Sequence, residues 1–325
     1  MTVVDATTYA IVGTITLPGT AQSGIAVDQK NVVVYVPVYG CTNEVNVTNS
    51  CVSGTGGTQK GGIVEINGTT DTITGEFPIE VQRLAVDSST GILYGASGQI
   101  FGPNPNSNSS GFLLAIDGRT GSVIANTSLG AYPLSLTVDE KTNTVYIGAC
   151  KAIPLPCVGA EVLAIDGATH IVRSATPLSF DALNFNVVVD DATDTVYAMG
   201  EGGLNLTLAS IDGASGSVTY LSAIGSSCAG AGGGTLAFDP ASNEVYASFD
   251  SQWFLLFIDG STGTVLNMVN ATMGIQFVAY NEGNDQAYFT TEAQNGDWGY
   301  LMVLPGTLSQ SFVNSTLLPR GICLP

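Results

Sequence analysis

One phrase recurs along this chain, and its recurrence limits the fold more than any other feature. The clearest copy is Leu136–Ile147, LTVDEKTNTVYI, followed by Val162–Val172, VLAIDGATHIV. The first half reads as an apolar strand, an Asp-containing turn and an apolar strand ending near Tyr. The second reads as an apolar strand, an Asp-Gly turn and another apolar strand. Each half is a β-hairpin, and two hairpins make a four-stranded antiparallel sheet. The first hairpin recurs with closing tyrosines Tyr35, Tyr94, Tyr146, Tyr197, Tyr246 and Tyr288. The second recurs from Ile63, Leu113, Val162, Leu208 and Leu256, with a weaker copy from Leu301. A period of roughly fifty residues with four strands per unit predicts an all-β fold, a β-propeller of four-stranded antiparallel blades. One such sheet cannot bury both of its faces alone, and stacking like units buries them. No segment has helical periodicity. Apolar residues alternate or run in fours, with Val, Ile, Thr and Tyr between Gly- and Asn-containing turns.

The ends of the chain bear on the blade count. Val3–Leu17 matches the second hairpin only, and Leu317–Pro325, LLPRGICLP, resembles the lead-in to an innermost strand. Residues 1–325 are expected to form a single propeller domain. Residues 1–20 are its orphan outer hairpin, 21–316 its six repeats, and 317–325 a tail joining the closing blade. Seven blades follow if both termini close the ring, since closure removes exposed sheet edges. Six blades is the alternative. Donation of the head hairpin to a neighbouring molecule is a third arrangement.

Charge narrows the partners. Eight basic against 27 acidic residues give a net charge of −19. Such a chain has no basic surface to displace counterions from nucleic acid or to dock on an anionic membrane. Charged residues are only 11% of the chain, so the surface is rich in neutral hydroxyl and amide groups. No run of eighteen apolar residues exists, so no membrane-spanning helix is expected. Met1–Asp5 lacks the basic start and apolar core of a signal peptide.

Six cysteines are placed like loop staples. Cys41 and Cys51 bracket a polar insertion, Cys150 and Cys157 a shorter one at the same point of a later repeat, and Cys228 and Cys323 each follow an outer strand. The pairing expected is 41–51, 150–157 and 228–323, one of the fifteen that six cysteines allow. Reduced, buried cysteine is the alternative. Zinc is disfavoured by the lack of a CxxC pair and by a single histidine. Asn-x-Ser/Thr sequons stand at Asn46, Asn67, Asn108, Asn126, Asn205, Asn270 and Asn314. Several fall in insertions or outer hairpins, where a glycan fits. Together with the cysteines they favour an extracellular, glycosylated surface.

The two-hairpin phrase, with Tyr35-Val36 or Tyr146-Ile147-Gly148 closing its second strand, resembles the YVTN-type β-propeller repeat proteins over nearly the whole chain. The tetrapeptide behind that name is not intact; the chain reads Tyr35-Val36-Pro37-Val38 and Tyr246-Ala247-Ser248-Phe249. The resemblance implies a propeller and a surface-layer or secreted setting. Such repeats also occur in a few propeller enzymes, so it selects no activity.

Residues able to carry chemistry mostly recur once per repeat. The Asp-Gly turns at Asp117, Asp166, Asp212 and Asp259, with Asn67-Gly68, read as turn chemistry rather than calcium ligands, because one acid per blade does not converge. The same holds for Asp28, Asp87, Asp139, Asp190 and Asp239, with Asn281 sixth. Asp190, Asp191 and Asp194 form the densest acidic group and the one weak candidate for a cation. His170 sits in an outer turn with no evident nucleophile and acid, so no triad is expected. The glycine run Gly230–Gly234 lacks the Lys of a phosphate loop. The tyrosine series reads as packing between blades. Trp253-Phe254 and Trp298-Gly299-Tyr300 break the pattern and read as a possible contact surface. The expectation is a non-enzymatic, cofactor-free, metal-free structural or interaction propeller at a cell surface, a subunit of an extracellular layer or filament. Its partners would be further copies of itself, surface proteins or glycans. The alternatives are a carbohydrate- or peptide-binding propeller whose partner docks on the Gly40–Gly62 and Gly98–Gly111 insertions, and then a propeller lyase or hydrolase.

Overall fold

The computed structural model describes residues 1–22, 24–39, 61–99, 110–152, 158–180, 185–202, 205–224, 235–248, 254–270, 274–291 and 301–305. All of their regular structure is β-strand. They fall into two compact units, one holding residues 1–99, 110–133 and 168–170, the other essentially the remainder.

The first unit begins with β1 (Thr2–Val4) and β2 (Ile11–Thr14), a separate two-stranded sheet. Blade one follows: β3 (Thr20–Ala21), β4 (Ala26–Asp28), β5 (Val33–Tyr39), β6 (Gly62–Asn67) and β7 (Thr72–Phe77). Here the innermost strand is split, with β3 and β4 both pairing with β5. Pro37 of β5 explains the break. Its carbonyl accepts from Gln22 N–H at 2.8 Å, so its ring nitrogen faces the same edge and has no proton to donate there. Blade two is β8 (Arg83–Asp87), β9 (Ile92–Gln99), β10 (Ser110–Asp117) and β11 (Val123–Ser128), hydrogen-bonded in that order.

The second unit carries the blades that follow. They are β12 (Tyr132–Asp139) to β15 (Val172–Pro177) with β13 (Thr144–Ala152) and β14 (Val158–Asp166) between, then β16 (Asn186–Asp190), β17 (Thr195–Gly202), β18 (Asn205–Asp212) and β19 (Val218–Ile224). Blade five is β20 (Leu236–Asp239), β21 (Glu244–Ser248), β22 (Phe254–Asp259) and β23 (Val265–Asn270). Blade six shows β24 (Ile275–Asn281), β25 (Gln286–Thr291) and β26 (Leu301–Pro305).

The fold is thus an all-β propeller with six blades. The count of seven is corrected to the alternative, six, because the head hairpin pairs with no other described strand. The tail expected to help close a seventh blade lies outside the described residues.

The core lies between neighbouring sheets. In the first unit Tyr35, Ile63 and Phe77 of blade one meet Leu84, Leu93 and Ile116 of blade two. In the second, Tyr197, Met199 and Leu208 meet Phe238, Val245 and Leu256, and Tyr246, Leu255 and Phe257 meet Val278, Ala287 and Phe289. The two middle strands of a blade therefore bury both faces; β22 is buried at five consecutive residues. Outer strands bury little, as in β11, where Val123, Ile124, Asn126 and Ser128 are exposed.

Phe257 is 1% exposed. Phe257→Ala is expected to lower the unfolding free energy by about 3–5 kcal/mol. Urea unfolding would show this as an earlier midpoint at unchanged slope; a loss below ~1 kcal/mol would contradict the packing described.

Candidate functional site: turn carboxylates and interblade tyrosines

The recurrent acids are bound within their own turns, and Asp166 pairs with Arg173. In the first hairpins Asp87 Oδ1 accepts from Ser89 and Thr90 N–H at 2.8 and 3.1 Å, and Asp139 Oδ1 from Lys141 and Thr142 N–H at 2.8 and 2.9 Å. Asp28, Asp190, Asp239 and Asn281 do the same with Asn31, Ala192, Ala241 and Gly283. In the second hairpins Asp117, Asp212 and Asp259 accept from Thr120, Ser215 and Thr262 N–H, and Asn67 from Thr69 and Thr70. These are Asx turns, in which a short side chain satisfies the amides that a tight loop leaves unpaired.

Positive φ falls four residues after the acid, on Val32, Gly91, Asn143, Asp194, Asn243 and Asp285 in first hairpins and on Asp71, Gly121, His170, Gly216 and Gly263 in second ones. The glycine of Asp-Gly does not take that conformation. Its reason is space. A Cβ on Gly118 would stand 2.8 Å from Gly91 O and 3.1 Å from the Tyr35 hydroxyl; one on Gly260 would stand 2.5 Å from the Tyr197 hydroxyl; one on Gly213 would overlap the Tyr146 hydroxyl and Asp194 Oδ1.

This explains the tyrosine series. Tyr35 of blade one donates to Gly118 O of blade two at 3.0 Å. Tyr146 of blade three donates to Asp194 Oδ1 of blade four at 2.6 Å, and Tyr197 of blade four to Asn243 Oδ1 of blade five at 3.4 Å. Each tyrosine slides under the Asp-Gly turn of the next blade and ties the sheets at that end. Tyr246 departs from the rule and donates to Asp239 of its own blade at 3.1 Å. The coupling between the turn glycine and the previous repeat's tyrosine escaped the sequence reading. Its signal was the co-occurrence of the two in adjacent repeats.

Burial, then the charges of Glu65, Asp28 and Asp117, push Tyr35 up to about 12. Burial, then Asp190 and Asp259, push Tyr197 up to about 12. Tyr146 is driven up by burial and by its bond to Asp194. These hydroxyls stay protonated and act as donors only. Burial, then Asp139, Glu140 and Asp190, raise Asp191 to about 7, and burial, then Asp239, Asp259 and Asp285, raise Glu244 to about 7. Backbone amides of the turns hold Asp117 and Asp259 below the usual carboxylate range, and the Ser215 hydroxyl and amide do so for Asp212.

The remaining candidates fall as follows. Among the described residues no three His, Cys, Asp or Glu side chains are grouped to hold a metal; Asp190 caps its turn and Asp194 accepts from Tyr146. His170 takes positive φ at its turn, its carbonyl accepts from Thr127 Oγ1, and its ring lies 6.3 Å from that of Tyr94. Phe254, expected at a contact surface, is a core residue at 8% exposure. Trp253, Trp298–Tyr300 and Gly230–Gly234 lie outside the described residues, as do Asn46, Asn108, Asn314 and every cysteine but Cys150. Cys150 is buried and disulfide-bonded. Asn126 is exposed on β11, Asn67 is half-buried at its turn, and Asn205 and Asn270 stand at strand ends.

One mixed cluster was not foreseen. In the first unit Tyr39 bonds the Glu80 carboxylate and the Gln82 amide; the bond to Glu80, then burial, raise its hydroxyl, and the Gln82 bond opposes them. The Tyr132 hydroxyl donates to Gln82 Oε1 at 3.2 Å, and Gly98 N–H approaches the same oxygen at 3.4 Å. Arg83, beside Gln82, has its guanidinium lowered by burial. Two tyrosines, a carboxylate, an amide and a guanidinium thus meet where Gly40–Gly62 and Gly98–Gly111 leave the blades. Of these side chains Gln82 alone has a like residue at its repeat position, Gln276, which is why the repeat pattern hid the cluster.

No family model and no curated protein sequence matches the chain. Solved structures share its fold at low identity. A chain of the mitotic checkpoint complex crystal structure aligns with TM-score 0.60 and 10% identity over 91% of this chain and 78% of that one. The dihydro-heme d1 dehydrogenase NirN aligns with TM-score 0.56 and 11% identity over 94% and 68%. A luciferin-regenerating enzyme aligns with TM-score 0.54 and 12% identity over 89% and 92%. These likenesses concern the fold.

Gly213→Ala forces the Tyr146 hydroxyl out of its seat and is expected to cost about 1–3 kcal/mol, the usual range for overpacking. Tyr146→Phe in the same background should restore part of it; strictly additive losses in chemical denaturation would contradict the lock. The pH dependence has a definite sign. Asp191 and Glu244 sit at about 7 against ordinary values of 3.8 and 4.5. The folded chain therefore binds more protons than the unfolded chain between about 4 and 7, and stability falls as pH rises through that window. The depressed turn acids act oppositely, and their contribution is lost only as pH falls below the usual carboxylate range. Thermal unfolding is expected to peak at mildly acidic pH and to drop by a few degrees toward pH 8, less so in Asp191→Asn/Glu244→Gln. A midpoint rising steadily from pH 5 to 8 would contradict this.

Proposed function

We propose that the chain is a secreted, glycosylated structural or interaction propeller of a cell surface, a subunit of an extracellular layer or filament, and not an enzyme. The observation that carries the reading is the outward placement of Asn126, a sequon asparagine exposed on an outer strand. The bonded state of Cys150 supports an oxidising compartment, and extends to the 41–51, 150–157 and 228–323 scheme. The acids and tyrosines that recur in every repeat act in holding turns and blades, which fits a scaffold. A weakly charged, amide- and hydroxyl-rich exterior fits a surface crowded with like molecules. The YVTN-type resemblance points to the same setting.

A second reading is favoured by the Tyr39–Glu80–Gln82–Tyr132 cluster. Tyrosine faces with carboxylate and amide groups beside them suit a sugar or an extended peptide. On this reading the scaffold also binds a surface glycan or peptide.

Peptide mass spectrometry of protein taken from its native cells tests the main reading. Glycan on Asn126 and alkylation-resistant cysteines are expected. Seven unmodified sequons together with six freely alkylated cysteines would overturn it.

A further inference from the structure

We propose that Asp194 is a proton switch in the seam between blades three and four: protonated, it donates to Asp139 Oδ2 and closes that end of the seam; deprotonated, it repels Asp139 and loosens it. Two seams of the second unit pose the same problem and solve it differently. Between blades five and six stand the acids Asp239 and Asp285, and each has its own phenol. Tyr246 donates to Asp239 Oδ2 at 3.1 Å and Tyr280 to Asp285 Oδ1 at 2.8 Å. Between blades three and four the acids at the same repeat positions are Asp139 and Asp194. Tyr146 stands where Tyr246 does, but Val189 takes the place of Tyr280. One phenol proton is left for two carboxyls, and it goes to Asp194 Oδ1 at 2.6 Å.

Asp139 is the acid left short. It is 0% exposed, and its Oδ1 holds the Lys141 and Thr142 amides. Its Oδ2 is buried, and no N–H or O–H donor among the described residues reaches it. Elsewhere that oxygen is served: Asp28 Oδ2 by Asn31 Nδ2 at 2.8 Å, Asp190 Oδ2 by Thr193 Oγ1 at 2.6 Å and Asp239 Oδ2 by Ser242 Oγ at 2.6 Å. Asp87 Oδ2 shares the lack, but the residue at the Asp194 position after it is the amide Asn143. A buried oxygen with no donor is costly. The Asp194 side chain is in hydrogen-bonding contact with that of Asp139. Two ionised carboxylates in such contact repel, and one proton between them removes the repulsion and supplies the missing donor.

The surroundings favour that proton. Burial raises the Asp194 carboxyl first; the Tyr146 bond pulls it down, and Asp139, by its charge and its contact, and then Asp212 push it up. Asp191 beside it feels Asp139, Glu140 and Asp190 in turn. The cations of these turns are engaged: Lys141 Nζ donates to Ala192 O at 2.9 Å, and Arg173, which lowers Tyr146, pairs with Asp166. The sign follows from linkage. A carboxyl raised by folding stabilises while protonated, and its contribution is lost as pH rises through its folded value. The seam therefore tightens on acidification and loosens as pH climbs above the usual carboxylate range.

The test uses the full chain carrying Asp191→Asn and Glu244→Gln, which silences those two raised acids. Infrared difference spectra against pH are expected to show the carbonyl band of a protonated carboxyl persisting above the usual carboxylate range. Asp194→Asn, which keeps an acceptor for Tyr146 and is the residue type of Asn143 and Asn243, should remove the band. Val189→Tyr, which supplies the second phenol, should move its disappearance to lower pH. Hydrogen-exchange protection of β13 and β16 amides should fall above the band's midpoint by up to about tenfold per pH unit, the limit for one linked proton, and should lose this dependence in Asp194→Asn. The absence of such a band, a band that survives Asp194→Asn, or one that Val189→Tyr leaves in place would overturn the proposal. Stabilisation by calcium chloride that Asp194→Asn abolishes would also overturn it, by giving the two carboxyls a cation instead of a proton.

Discussion

Each blade of this protein has oil on both faces. Its two middle strands carry Val, Ile, Leu and Phe on either side, so a lone sheet would leave one apolar surface in water at roughly 25 cal/mol per Å². The next sheet covers it, and the next sheet needs covering in turn. Everything else in the structure serves that stacking. The turns are tied off by their own acids, which lets the strands end abruptly. The glycines Gly118, Gly213 and Gly260 after second-hairpin acids leave room for a tyrosine from the neighbour. The tyrosine brings a hydroxyl into the apolar seam and donates it to a turn oxygen, so that hydroxyl is not stranded.

This division of labour shapes the electrostatics. The chain is strongly acidic, yet its acids are not gathered into a site. Among the described residues most stand one per turn, where backbone amides stabilise them, while Asp191 and Glu244 sit in surroundings poor enough in compensation to be raised to about 7. The few cations are distributed in the same spirit. Lys30 and Lys141 donate to carbonyls of the following blade's turn, Ser89 O and Ala192 O, and Lys151 and Arg173 pair with Glu161 and Asp166.

The fold was legible because the repeat writes it several times, and errors in one copy are corrected by the others. Asp139 with Tyr146, and Asp190 with Tyr197, announce the same hairpin at the same offset. What was not legible came from relations between copies. That Gly213 exists for Tyr146 is a fact about two repeats 67 residues apart in sequence, and no single hairpin shows it. Phe254 was misread for a related reason: it breaks the pattern at a strand's first residue, where a departure from the repeat looks like a surface feature, although the neighbouring sheet covers it. The Tyr39–Gln82–Tyr132 cluster was invisible because its members come from three blades and, Gln82 apart, do not recur. Function was the least legible part, since the recurrent acids and tyrosines are engaged in holding turns and blades, and the sequence shows only that they are there.

The central claim is that a blade is stable only through its neighbour. Native-state hydrogen exchange of the middle strands measures this most directly. Within the first unit, amides of β5, β6, β9 and β10 are predicted to exchange through one shared opening, with a common free energy and a common denaturant dependence close to those of global unfolding. Amides of one blade opening independently, at free energies well below those of the blade packed against it, would contradict the account.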